Sequence, residues 1–338
     1  MQIRARAPLR ISFGGGGTDV PPYCDERGGA VLSATINRHA YATLHPGGDN
    51  FRVQSLDYDA SISYNLAEAF TYDGQLDLAK GVLDHFRTTA SFPSGLEILL
   101  HNDAPPGSGL GSSSAITVAL ICAIAEHLKL PLDAYAIADT AYRIERIEVG
   151  QIGGKQDQYA AAFGGFNFIE FNGGTTVVNT LRLHPDVICE LEYRLVFAYV
   201  GGKREFSQIL EKQVDNMKNK ESSAVAAMDA LKALAYEMKT ALLLGNLGKF
   251  GELLDAAWQN KKKMAEGISN QRIDETYDAA RKAGAIGGKI TGVGGGGFMF
   301  FICEPQSRHK LQETLIETGN QVINFNFVEE GVKAWHVR

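Results

Sequence analysis

The chain has 338 residues, of which 45% are hydrophobic and 21% charged, and its formal net charge is −6. That length exceeds what one hydrophobic core usually organises, so two domains are expected, and an acidic balance with no basic run excludes a nucleic-acid footprint. The longest apolar stretch, residues 115–125, is too short to cross a bilayer, no apolar signal region opens the sequence, and Cys24, Cys122, Cys189 and Cys303 form no metal-ligand spacing, so a cytoplasmic protein without a membrane partner is expected.

Residues 2–13 alternate as strand and end at Phe13, carrying Ala7-Pro8-Leu9-Arg10, and the loop Gly14-Gly15-Gly16-Gly17-Thr18-Asp19 follows. Residues 30–44, 51–56 and 61–64 read as further strands of a mostly antiparallel sheet, with a turn at His45-Pro46-Gly47-Gly48; residues 76–88 have helical period and 96–100 are strand-like. Next comes Pro105-Pro106-Gly107-Ser108-Gly109-Leu110-Gly111-Ser112-Ser113-Ser114-Ala115, which opens an apolar helix from about Ser113 to Leu128. Its glycines let the backbone turn and approach a ligand without Cβ clashes. Its serines stand where a helix N-cap belongs, so unpaired N–H groups and the positive end of the helix dipole converge on one spot. That is an anion site, and polyphosphate is the usual anion. It is not a P-loop, because no Gly-Lys pair in the chain is followed by Ser or Thr, and no H-R-D or D-F-G run marks a protein kinase.

A further helix is expected from the N-cap Asp133 to about Glu148, with Ala134, Ala138 and Ala141 on one stripe that Glu145 continues. A carboxylate on an apolar face must be paired or metal-bound; no basic residue stands three or four positions away, whereas Mg2+ accompanies ATP. Gly150-Gln151-Ile152-Gly153-Gly154-Lys155-Gln156 makes a loop, Asp157 opens a short helix ending at Gly164-Gly165, and strands 166–171 and 175–183 flank the hairpin signal Asn172-Gly173-Gly174. The pattern changes around 183–190, which divides the chain into residues 1–185 and 186–338. The second part holds a strand at 195–200, a helix-rich run at 206–283, a strand–glycine loop–strand unit at 286–302, a helix near 306–318, and strands at 321–328 and 331–337. Gly292-Val293-Gly294-Gly295-Gly296-Gly297 formally matches the dinucleotide fingerprint but runs into a strand where that fingerprint needs a helix. Pattern alone gives two α+β layers.

Ala7-Pro8-Leu9-Arg10, Pro105 to Ala115 and Thr291-Gly292-Val293-Gly294-Gly295-Gly296-Gly297-Phe298 resemble, in order, the three motifs of the GHMP kinase superfamily (galacto-, homoserine, mevalonate and phosphomevalonate kinases). The resemblance implies a two-domain α+β fold, ribosomal S5 domain 2-like first and ferredoxin-like second, acting with ATP and Mg2+. Carried over, it assigns ATP to Pro106, Gly107, Ser108, Gly109, Leu110, Gly111, Ser112, Ser113 and Ser114. It assigns the metal to Glu145 and Ser113, with Ser112 or Ser114 as open alternatives, and catalysis to Asp157 with Arg10 beside it. Gly16, Thr18, Asp19, Asp157, Gly295 and Gly296 are placed around the substrate.

The acceptor is narrowed by a finer likeness. Arg10 continuing into the Gly-Gly-Gly-Thr-Asp run, Gly153-Gly154 with Gln156 to Ala161, Gly164 to Phe168 and Gly296 to Phe301 are similar to D-glycero-D-manno-heptose 7-phosphate kinases. These phosphorylate the anomeric hydroxyl to give the 1,7-bisphosphate on the way to nucleotide-activated heptose. Lys155 departs from that pattern, where a small residue is expected. A phosphorylated sugar also needs a cationic pocket; Lys203, Arg204, Lys262 and Lys263 are the candidates, with Arg204 preferred for its bidentate fork. Asp19-Val20-Pro21-Pro22 suits a fucokinase-like or galactokinase-like free-sugar kinase as well, and a non-catalytic ATP and sugar sensor is a further alternative. A decarboxylase of mevalonate diphosphate is disfavoured by Thr18-Asp19. Small molecules are the expected partners, and a homodimer is left open.

Overall fold

The computed structural model describes residues 2–201, 206–219 and 221–338. The chain begins with β1 (Gln2–Gly14), the short helix α1 (Tyr23–Arg27) and the long β2 (Gly29–Pro46), then β3 (Asn50–Ser55), β4 (Ala60–Asn65), α2 (Asp77–Thr89) and β5 (Leu96–Asn102). Next are α3 (Ser112–Leu128), α4 (Ala134–Arg143) with a π-helical turn at Ile144–Glu148, α5 (Gln156–Phe163), β6 (Phe166–Asn172) and β7 (Thr175–Thr180). The remainder is α6 (Pro185–Arg194), β8 (Leu195–Gly201), α7 (Phe206–Lys218), α8 (Ser222–Leu243), α9 (Leu247–Lys261), α10 (Gln271–Lys282), β9 (Ala285–Ile290), β10 (Gly297–Cys303), α11 (Arg308–Glu317), β11 (Gln321–Ile323) and β12 (Lys333–Val337).

β2 is the spine of the larger sheet. Of its 18 residues, those from Leu32 to Leu44 pair with β1 along one edge, while on the other edge Gly29–Ala34 pair with β6 and Ala40–Pro46 with β5. Pairing is antiparallel except between β3 and β5, which are linked through β4 and α2 and run parallel. The second sheet has the order β11-β8-β10-β9 and is antiparallel throughout. The α+β reading therefore holds, with helices packed on two sheets. β12 does not stay with the second sheet. It pairs with β1, Gln2 opposite Val337 through Arg6 opposite Lys333, and caps the larger sheet's edge. The edge is apolar on one face, where Ile3, Ala5 and Ala7 are buried, and this gives the returning segment a surface to cover.

α3 runs through the middle of the first unit. It is apolar on nearly every side, with Ala115, Val118, Ala119, Leu120, Ile121, Ala123 and Ile124 all buried, as expected of a helix enclosed by protein on all faces. It packs on β1 and β2 and against α4 and α5, so its N-terminus is held rigidly. The expected single helix from 133 to 148 is an α-helix only to Arg143, capped by Asp133, which accepts from the Ala136 N–H at 2.8 Å. The following turn widens: the Val149 N–H reaches back to the Ile144 C=O. Such one-turn π insertions recur at functional sites. Among the described residues no helix is long and apolar enough to cross a membrane.

Candidate active site

Gly107, Gly109 and Gly111 have φ values of 77°, 79° and 76°, a region that side chains with a Cβ occupy only at a cost. The N-cap of α3 is Gly111 itself, and no side chain caps the helix. The three serines thus fill the first turn instead of the expected cap position, and the amides at this end find no side-chain acceptor. Ser108 is buried beneath the loop; its C=O accepts from Thr291 Oγ1 at 3.2 Å and from the Phe298 N–H at 3.3 Å. The second glycine cluster lies directly on the first, since a Cβ on Gly292 would stand 2.9 Å from Gly109 Cα. Glycine at 292 is what lets two backbones nearly touch there.

Arg10, on β1, is buried and ties this loop to the Asp157 carboxylate. Its Nε and Nη2 lie 2.8 and 2.6 Å from Asp157 Oδ1, its Nη1 donates to the Gly109 C=O at 2.7 Å, and its backbone N–H donates to the Leu110 C=O at 3.0 Å. A Cβ on Gly111 would meet the Asp157 carboxylate at 3.3 Å. The carboxylate therefore stands at the lip of the loop, with Oδ2 left clear of Arg10.

Glu145 is fully buried, as its place on the apolar stripe requires. Oε2 accepts from Ser114 Oγ at 2.8 Å and Gln158 Nε2 at 2.8 Å, and Arg146 Nη2 lies 3.1 Å away. The basic partner that the i+3 and i+4 positions lack is thus the next residue. Burial pushes the Glu145 carboxyl up from its ordinary value, with the Arg146 charge and the Ser114 hydroxyl opposing. Oε1 has no partner. An orphaned buried carboxylate oxygen fits a divalent cation, although no group of three or more His, Cys, Asp or Glu suited to a metal occurs among the described residues. Phosphate oxygens and a serine would have to complete such a site. Ser113, the serine assigned to the metal, is exposed toward the cleft; Ser114 is the one bonded to Glu145.

These groups border a cavity of about 710 Å3 lined by Gly107, Gly109, Gly111, Ser112, Ser113, Arg10, Asp157, Gly16 and Asp19 among others. Pro106 instead borders a neighbouring cavity of about 410 Å3, which shares Ser112 and Ser113 with the first. Leu110, Ser108 and Ser114 are buried under the loop. Asp19 is buried, accepting from the Gly17 N–H at 2.9 Å, the Gln156 N–H at 3.1 Å and Gln156 Nε2 at 3.2 Å. Burial raises its pKa, against the backbone hydrogen bond from Gln156. Gly154 has to be glycine, because a Cβ there would fall 1.9 Å from Asp19 Oδ2.

Three of the expected substrate contacts are likewise absent from the lining of this cavity. Thr18 is buried and spent on the loop itself, its hydroxyl donating to the Gly15 C=O at 2.7 Å and accepting from the Ala30 N–H at 3.1 Å. Gly295 turns away to donate its N–H to the Ile268 C=O at 2.9 Å; it and Gly296 leave the lining to Gly292 and Val293. Lys203 and Arg204 lie outside the described residues. Lys262 sits 3.5 Å from Asp274 and over the Trp258 ring, and Lys263 is exposed. The lysine that does line the cavity is Lys261, buried at the end of α9. Its signal was available: Leu254, Ala257, Trp258 and Lys261 follow helical spacing on one buried face. Lys155 leaves the cavity, its Nζ 3.3 Å from Asp25 Oδ1 and over the Tyr142 ring.

Residues 77–165 match the GHMP kinases N terminal domain and residues 238–321 the GHMP kinases C terminal domain. The D-glycero-alpha-D-manno-heptose 7-phosphate kinase of Campylobacter jejuni subsp. jejuni is 39% identical over 99% of both chains. The chain belongs to the GHMP kinase family. A solved family structure, described as a D-glycero-D-manno-heptose 1-phosphate kinase from Bacteroides thetaiotaomicron, superposes with a TM-score of 0.84 at 36% identity over 99% of both chains. The L-fucokinase/L-fucose-1-P guanylyltransferase of Bacteroides fragilis is 26% identical over 94% of this chain but only 36% of its own length. As a GHMP kinase the protein is a phosphotransferase, and its α+β architecture is that of the family.

Proposed function

We propose that this GHMP kinase transfers the γ-phosphoryl group of ATP to the anomeric hydroxyl of D-glycero-D-manno-heptose 7-phosphate, giving the 1,7-bisphosphate, in the cytoplasm. The observation that carries the reading is the Arg10–Asp157 pair fixed at the lip of the Gly107–Gly111 loop, on a cavity that Asp19 also lines. Phosphoryl transfer asks for positioning and charge neutralisation more than covalent chemistry. The uncapped amides of α3 and the loop would receive the nucleotide's phosphates, with the base in the adjacent cavity beside Leu76, Ala79 and Ile116. Glu145 Oε1 with Ser113 or Ser114 would hold Mg2+, which when bound neutralises charge across the β- and γ-phosphoryl oxygens.

Both Arg10 contacts fall on Asp157 Oδ1, so Oδ2 is free to orient the acceptor hydroxyl and take its proton. Arg10 steadies the carboxylate and offers positive charge where negative charge develops. Asp19, with its oxygens fixed by Gly17 and Gln156, would receive a sugar hydroxyl. Arg204 is retained as a candidate contact to the acceptor's phosphate, and the same reading divides the chain near residue 185, with β12 returning to the first unit. The two heptose kinase relatives differ in where their acceptor carries phosphate. The 7-phosphate is favoured here because the 39% identical relative is named for it and it leaves the anomeric hydroxyl free.

The likeness to the fucokinase supports a second reading, a free-sugar 1-kinase. ADP release measured with heptose 7-phosphate, heptose 1-phosphate, free heptose, L-fucose and galactose separates them, and 31P NMR of the product locates the new phosphate. Turnover confined to a free sugar would overturn the acceptor assignment. Undiminished ATP binding with no turnover on any sugar would mark a sensor.

A further inference from the structure

Three buried basic side chains gather where β1, α9 and β9 approach one another: Arg10, Lys261 and Lys289, only 3%, 3% and 2% exposed. Two of them are accounted for. Arg10 is engaged by Asp157 and Gly109, and Lys289 Nζ donates to the Ser12 C=O at 2.7 Å. Lys261 is different. It lines the cavity, and among the described residues no acceptor bonds its ammonium; the charges that act on it are Asp19 and, in opposition, Arg10. Asp19 acts on it only at a distance: among the described residues the two make no contact ion pair, and the Asp19 carboxylate instead accepts three hydrogen bonds from Gly17 and Gln156.

The surroundings of Lys261 are rich in unused polar atoms. Gln213 Nε2 and Ser12 Oγ are buried without partners, in residues 3% and 2% exposed, and both residues line the same cavity. Gln213 stands over Gly17, where Met264, three residues beyond Lys261, also packs. The free donors are therefore an ammonium, an amide and a hydroxyl, on the Asp19 side of the cavity. Holding a largely buried ammonium without a contact ion pair is costly, and a cluster of unpaired donors at the wall of a cavity is a site for an anion. Arg10 adds to the positive field.

We propose that Lys261, assisted by Gln213, binds the phosphate carried by the acceptor and so sets a preference for a phosphorylated over a free sugar. This rests on the acceptor class proposed above. The nucleotide's terminal phosphate is the other anion within the cavity, and the test separates the two.

Lys261→Met keeps the side chain's length and removes its charge. ADP release gives kcat and KM for D-glycero-D-manno-heptose 7-phosphate, for the unphosphorylated heptose and for ATP. The wild-type enzyme is expected to prefer the 7-phosphate. In K261M its KM should rise at least about 30-fold, the worth of a charge-assisted hydrogen bond, while kcat/KM for the free heptose and KM for ATP stay within about three-fold. K261R should recover part of the loss. Gln213→Leu should act in the same direction and more weakly, and it supplies the test if K261M does not fold. A K261M enzyme that keeps the wild-type preference overturns the role of Lys261 alone. A rise in KM for ATP alone overturns it in favour of the nucleotide. A wild-type enzyme indifferent to the acceptor's phosphate overturns the acceptor assignment as well.

Discussion

Replacing Asp157 by Asn changes one oxygen for an amide nitrogen and leaves the shape of the site intact. What it removes is the charge facing Arg10, whose side chain is 4% exposed against 22% for Asp157. Stripping the partner from a fully buried ion pair costs about 3–5 kcal/mol; the exposure of Asp157 and the surviving hydrogen bonds from Arg10 to the Asn oxygen and the Gly109 C=O lower that to about 1–3 kcal/mol. The fold should therefore survive, with a modestly lowered midpoint in urea. Turnover should not. General-base assistance is worth roughly 10²–10⁴-fold, so kcat should fall by at least about two decades, while nucleotide affinity, set by the loop and α3, stays within about three-fold. The assay pairs coupled ADP release at saturating substrates with equilibrium titration of a fluorescent ATP analogue. A kcat within about three-fold of wild type, on protein shown to be folded, would refute the role of Asp157 and with it the reading of the Arg10 pair.

Three other outcomes are expected. Glu145→Gln replaces a carboxylate that burial holds in favour of its protonated form, so thermal stability at neutral pH should be equal or higher while the Mg2+ needed for half-maximal nucleotide binding rises at least about ten-fold; a magnesium titration monitored by calorimetry checks it. Gly111→Ala, at φ 76° and with its Cβ 3.3 Å from Asp157, should cost about 1–2 kcal/mol by chemical denaturation and lower kcat by displacing the carboxylate. Burial lowers the Lys261 pKa from 10.5 to about 8. The unfolded chain therefore holds more protons than the folded one between about pH 8 and 10.5, and wild-type stability should rise across that window, by up to ~3 kcal/mol. K261M should show a smaller rise, because buried Lys289 is shifted in the same direction, and should exceed wild type in stability at pH 7; a denaturation series from pH 7 to 10.5 with no difference in slope would contradict this.

The parts of the site that stood out in the sequence are those whose residue types are awkward for any other purpose. Glycines at alternate positions before an apolar helix, and a glutamate on an alanine stripe, each carry a cost that a folded chain keeps only for a reason. Lys261 has the same logic, lying on the stripe of Leu254, Ala257 and Trp258, but it is followed by two more lysines that mask it. The π turn after Arg143 could not be read from periodicity, because one added residue near a helix end barely disturbs the pattern. Nor could the fate of Thr18, Gly295 and Gly296: which way a loop's polar groups turn depends on the Ala30 and Ile268 backbones packed against them from distant sequence. The path of β12 was hidden for the same reason. Its alternation announced a strand and said nothing about which sheet would take it.

That path has a consequence for how the molecule is made. Arg10 lies on β1, whose outer rail is filled at Arg10 by the Leu110 C=O but from Gln2 to Arg6 is completed only by residues 333–337. During synthesis the first residues of the strand that carries the pivotal guanidinium emerge early and wait, with one rail bare, until residues 333–337 arrive. Such long-range pairing is slow and leaves a sticky margin open in the interval. Tethering residue 337 to residue 2 and opening the chain at the hairpin tip near Gly173 should shorten that wait, which makes refolding speed, rather than catalysis, the property most open to redesign at this seam.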